Sequence, residues 1–108
     1  MGEIEVRGVS GTPGDGPYIV LEARFDGECV SAVRATCNGC ATAVRLCDVL
    51  CALLPGRLPS RIESITERDL ELLVPGIPEG KEFYRGKAVE ALRDLCADIE
   101  NRQVKRCQ

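Results

Sequence analysis

The feature that most constrains this chain is a change of hydrophobic period near residue 38. Before it, apolar residues recur at every second position: Ile4 and Val6 alternate with Glu3, Glu5 and Arg7, and YIVLEARF (18–25) is a β-branched and aromatic run. CVSAVRAT (29–36) follows, with Val30, Ala32 and Arg34 set against Ser31, Val33 and Ala35. The turn formers SGTPGDG (10–16) separate the first two runs and Asp26-Gly27 the second two, which predicts an antiparallel meander of three strands.

After residue 38 the spacing is helical. CATAVRLCDVLCALL (40–54) is apolar except for Thr42, Arg45 and Asp48, a narrow polar stripe that predicts a helix buried on most sides, capped by Asn38 and stopped by Pro55-Gly56. Ser60 with Glu63 and Thr66 with Asp69 are two cap-like pairs, predicting a short helical turn and then a helix through ERDLELLV (67–74) that Pro75-Gly76 ends. Ala88, Leu92, Leu95, Cys96 and Ile99 line one side of a last amphipathic helix over about 86–102, with 103–108 as a frayed tail carrying Cys107. Strands first and helices afterwards imply one α+β domain over 1–108, its helices packed on one face of a three-stranded antiparallel sheet.

Composition narrows the function. The 108 residues are 44% hydrophobic and 29% charged, ordinary values for a folded domain, and a net charge of -3 with only four aromatics argues against a nucleic-acid binder. No run is long and apolar enough for a membrane span, and MGEIEVRG is unlike a secretion signal, so the expectation is a cytoplasmic protein with reduced thiols. Seven cysteines stand beside no histidine, which removes Cys-His and Ser-His-Asp catalysis and every histidine metal site.

The chemistry concentrates in Cys37-Asn38-Gly39-Cys40, between the last strand and the buried helix. Under an Asn38 cap, Cys40 falls in the first turn, where unpaired N–H groups and the helix dipole favour thiolate. A single C-x-x-C is equally explained by small apolar residues beside a turn. Cys47 lies seven residues beyond Cys40, a rise of roughly 10 Å on a helix, so metal–sulfur bonds of about 2.3 Å cannot join Cys47 and Cys51 to the first pair around one ion. Cys29, Cys47, Cys51 and Cys96 read as packing residues. Gly11–Gly16 lacks the lysine and strand-to-helix setting of a phosphate loop; Asp15 within it offers a carboxylate near the strand ends. Glu67 with Glu71 and Glu90 with Asp94 read as solvated helix faces.

In order and spacing these pieces resemble the iron–sulfur cluster scaffold family, the IscU type also found as the N-terminal domain of NifU. The marks are Gly14-Asp15 before a strand, the hairpin, Gly39-Cys40 opening a buried helix, Gly56 after it, Thr66 to Leu70, Gly76-Ile77-Pro78 to Lys81, and Ala88-Val89-Glu90-Ala91-Leu92. The resemblance implies a nascent iron–sulfur cluster, or zinc, held by three cysteines and an aspartate, and a cysteine desulfurase or other assembly protein as partner. In this sequence the family's first cysteine position holds Pro13, the second matches Cys40, and the third falls at Tyr84, preceded by Phe83.

Three readings follow. The first is a non-enzymatic scaffold that binds iron, zinc or a labile cluster at Cys40 and Asp15 with Cys37 as a third ligand. The second is an interaction or regulatory module that keeps the fold without metal, the aromatic pair at 83 and 84 walling the former pocket. The third makes Cys40 a redox or persulfide-carrying thiol resolved by Cys37.

Overall fold

The computed structural model describes residues 3–106, with side chains through Arg102. Three strands, β1 (Ile4–Thr12), β2 (Asp15–Phe25) and β3 (Val30–Cys37), form one antiparallel sheet in the order β1-β2-β3. Four helices follow: α1 (Ala41–Leu53), α2 (Pro59–Glu63), α3 (Glu67–Leu73) and α4 (Phe83–Arg106). The expected α+β meander with helices on one face is therefore present. Among the described residues no helix is long and apolar enough to cross a membrane.

The first hairpin is tighter than the run of turn formers suggests. Thr12 pairs with Asp15 across Pro13-Gly14, and Gly14 takes the positive φ of 86° that a second turn position after proline requires. Ser10 already pairs with Ile19, so one residue of β1 faces three of β2, among them Pro17, which has no N–H to give a ladder.

The second hairpin corrects the phase of β3. Phe25 pairs with Val30 but Arg24 with Ala32, so Ser31 is an extra, bulged residue. Beyond it the inward set becomes Val33, Ala35 and Cys37, which pack on the core, while Ala32 and Arg34 face outward. The loop at 26–29 is held by Asp26, whose carboxylate accepts from the Glu28 and Cys29 amides at 2.8 and 2.7 Å and so stays below the usual carboxylate range. Cys29 thus belongs to this loop, half-buried, rather than to the sheet.

The core gathers Val6, Ile19, Leu21, Ala23, Phe25 and Val30 from the sheet with Leu46, Leu50, Ile62, Leu70, Ala88, Leu92, Leu95 and Ile99 from the helices. Helix α1 buries one face, Thr42 included, and exposes Ala41, Val44, Arg45, Asp48 and Ala52; it is amphipathic rather than enclosed on most sides. Helix α2 starts on Pro59 at its first position with Leu58 before it, so Ser60 is not its cap, whereas Thr66 and Asp69 do form a reciprocal capping box on α3.

Helix α4 begins three residues earlier than expected and carries helical backbone through 106, so 103–106 are not a tail; Cys107 lies outside the described residues. The early start has a legible cause: Tyr84, Ala88, Leu92, Leu95 and Ile99 make one continuous buried stripe.

Helix α4 lies directly on β1 at Gly8. A Cβ at Gly8 would fall 2.2 Å from the Ala91 carbonyl oxygen and 2.5 Å from the Leu95 nitrogen, so only glycine permits this approach. Carboxylates of α4 then reach the outer edge of the strand: the Arg7 amide donates to Asp98 Oδ2 and the Val9 amide to Asp94 Oδ2, both at 2.8 Å, and Ser10 Oγ donates to Glu90 Oε1 at 2.6 Å. Glu90 and Asp94 are strand-edge acceptors, not merely solvated surface.

Gly8→Ala should lower stability by about 3 kcal/mol or more, since two backbones must separate, and urea unfolding followed by circular dichroism will measure it. A second outcome concerns alkali. Burial pushes the Cys47 thiol up to about 12 and the Cys96 thiol up to about 11, from an ordinary value near 9. Below pH 9 both states keep these protons; between about 9 and 12 the unfolded chain releases them while the fold retains them, so stability falls as pH rises. Thermal midpoints across that range should fall less steeply in Cys47→Ala than in the native chain.

Candidate functional site

The N-termini of α1 and α4 converge on one thiol. Cys40 is the N-cap residue of α1, in extended conformation (φ -64°, ψ 136°), and Gly39 before it takes a positive φ of 85° that turns the chain from β3 into the helix. Asn38 therefore does not cap the helix. Its Nδ2 donates to the Tyr84 hydroxyl oxygen at 2.9 Å, tying the β3–α1 loop to the first turn of α4.

Tyr84 is 2% exposed, and its ring stacks on the half-exposed Phe83 at a centroid separation of 4.3 Å. Because Tyr84 accepts from Asn38, its own proton is free for the Cys40 sulfur. Cys40 makes no hydrogen bond of ordinary capping geometry. Even so, the Thr42 amide, the Tyr84 hydroxyl, the Ala43 amide and the Lys81 ammonium, in decreasing order, hold its pKa below the usual thiol value against a partial opposing effect of burial. A half-buried thiol with its pKa drawn down is the candidate nucleophile of this arrangement.

The segment before α4 is braced to present these groups. Arg45 Nη2 donates to the Pro75 carbonyl at 2.9 Å, Arg85 pairs with Glu71 at 3.6 Å, and Glu82 accepts the Gly80 amide at 2.7 Å, which with its own amide keeps that carboxyl low. The Lys81 amide in turn closes on the Pro78 carbonyl at 3.0 Å.

The other two candidate ligands lie elsewhere. Cys37 ends β3, and its sulfur meets Cys47 of α1, whose thiol it helps to keep protonated. Asp15 is exposed at the tip of the first hairpin, four residues before Ile19, the partner of Cys37. Among the described residues no group of three or more histidine, cysteine, aspartate or glutamate side chains is placed to hold a metal ion. The donor set of Cys40, Asp15 and Cys37 is thus not gathered at one point, and the residues beside Cys40, a phenol, an amide and an ammonium, do not fit a cluster or a zinc ion. Cys51 is half-buried on α1 and Cys96 is buried, its Sγ 3.6 Å from the Pro59 carbonyl, so both serve packing.

Sequence reasoning placed Cys40 and Tyr84 but missed Asn38 and Lys81 as their neighbours. The signal for Asn38 was the need of a buried tyrosine hydroxyl for a polar partner. Lys81 gave none, because its proximity depends on how the 74–82 loop folds back. The sequence matches no protein-family model and no curated protein.

Alkylation of Cys40 should persist to lower pH than that of Cys29 or Cys51, and Cys47 should stay unmodified in the native fold. Tyr84→Phe should move the Cys40 profile toward higher pH by removing a donor to the thiolate, as peptide mapping of iodoacetamide adducts across pH will show.

Proposed function

We propose that this chain is a divergent iron–sulfur scaffold-type domain that works as a thiol-bearing interaction module rather than as a cluster holder in its own right. The reading rests on one observation: the thiol at the position of the family's second ligand is influenced by the Thr42 and Ala43 amides, the Tyr84 hydroxyl and Lys81, and among the described residues no group of three or more ligating side chains is placed to hold a metal ion. What supports the resemblance is the spatial meeting of Cys40 with Tyr84, the residue at the third ligand position, although 44 residues separate them in the sequence. Pro13 at the remaining position sits in the hairpin turn and has no group to offer.

On this reading the cluster pocket is closed by aromatic packing, and Phe83, 46% exposed beside Cys40's neighbour Tyr84, presents an apolar contact surface next to the thiol. The partner class that the resemblance implies is the iron–sulfur assembly machinery, with a cysteine desulfurase foremost. The chain itself performs no catalysis.

Elemental analysis and an ultraviolet–visible spectrum of anaerobically purified protein, before and after reconstitution with iron and sulfide, test the reading beside Cys40→Ala. The expected result is substoichiometric iron and zinc and no cluster absorption in either protein. Stoichiometric metal that disappears in Cys40→Ala would instead establish metal binding at a reduced ligand set.

A further inference from the structure

At the far end of α1 from Cys40, the C-terminus of α1 and helices α2 and α3 enclose an open groove of about 380 Å³. Its lining is apolar at Leu53, Ile65, Leu72 and Leu73 and polar at Arg57, Arg61, Ser64 and Asp69. Leu72 is 69% and Leu73 48% exposed, so neither side chain is accounted for by the core.

Two arginines and one carboxylate line the groove. Among the described residues Arg57 and Arg61 form no ion pair, as is also true of Arg7, Arg45, Arg68 and Arg93, but these two stand together at one groove. The carboxylate in the groove wall, Asp69, is engaged by the Thr66 amide at 2.9 Å and hydroxyl at 3.1 Å. Arg57 Nε donates to the Leu53 carbonyl at 2.8 Å, which ties its guanidinium to the end of α1 beside the groove. The charged groups that line the groove are therefore two cations and one anion, a net +1 at the groove itself in a chain of net charge -3.

We infer that this groove is a docking site for an acidic amphipathic helix of a partner protein. Its walls are helices with no strand edge, so an extended peptide would find no backbone to pair with, while a helix can lay an apolar stripe against Leu53, Ile65, Leu72 and Leu73. Glutamate or aspartate flanking that stripe meets Arg57 and Arg61. Two arginines are too few for an anionic membrane surface, which recruits clusters of about four to eight basic residues. This inference stands apart from the reading of Cys40, since the groove shares no residue with the thiol site.

The test is selection of a phage-displayed library of random helix-length peptides on the native protein, counter-selected on an Arg61→Glu, Leu72→Ser double variant. Both side chains are exposed, and circular dichroism will establish that the variant keeps the fold. Enriched peptides should carry Leu, Ile or Phe at helical spacing with flanking acids. A synthetic copy should bind the native protein about tenfold or more tightly than the variant, and less tightly as salt is raised. The inference is overturned by no enrichment over the variant, by enrichment of basic or uncharged sequences, or by a concentration-dependent dimer in light scattering that Leu72→Ser abolishes, which would make the occupant a second copy of this chain.

Discussion

The architecture depends on the contact between α4 and β1. A helix cannot normally approach an edge strand so closely, because a Cβ stands between the two backbones. Gly8 removes that obstacle, and with the gap closed the helix sets its carboxylates at the height of the strand's unpaired amides. The two repeats match: alternate residues of a strand are roughly 6.7 Å apart, and residues one turn apart on a helix rise by about 6 Å. Asp94 and Asp98 therefore fall in step with Val9 and Arg7. Buried apolar area holds α4 to the sheet, while these charge-assisted bonds fix its height and direction.

Because α4 is positioned this way, its first turn is delivered to the start of α1. Tyr84 belongs to the same stripe as Ala88 and Leu92, so the packing that orients the helix also orients the phenol toward Asn38 and Cys40. The first amides of α1, a phenol from the first turn of α4 and one lysine thereby act on a single sulfur. A thiolate in such a place is stabilised by groups that were already ordered by folding, which is why a small domain without histidine can still possess a reactive nucleophile.

Much of this was legible in the sequence. Period-two and helical spacing located the three strands, α1 and α4; the Thr66–Asp69 box located α3 and the inner face of α4 was read residue by residue, while α2 was placed by a Ser60 cap that the helix does not use. What escaped was decided by geometry that pattern does not carry. A single bulged residue, Ser31, reverses the facing of β3, and nothing in alternation distinguishes an extra residue from the next one in register. Asn38 has the chemistry of a cap, yet it serves a tyrosine 46 positions away. The ligand set of Cys40 and Asp15 came from the family resemblance, with Cys37 added from the neighbouring C-x-x-C. The turn at Pro13-Gly14 instead carries Asp15 to the hairpin tip, and the inward phase of β3 turns Cys37 toward Cys47.

The order in which the parts of the α4–β1 clasp leave the ribosome has a consequence of its own. Synthesis is vectorial, and β1, β2 and β3 all precede α4, so the meander can form while the acids that cover β1 are still inside the exit tunnel. Until residues 90–98 emerge, the outer amides of Arg7 and Val9 are an open template for another strand, flanked by Val6 and Val9. The interval between emergence of the sheet and arrival of α4 is thus the period in which this chain is most exposed to intermolecular β-pairing. A nascent-chain chaperone that shields apolar strand edges would act on it during that window and have no purchase on it afterwards.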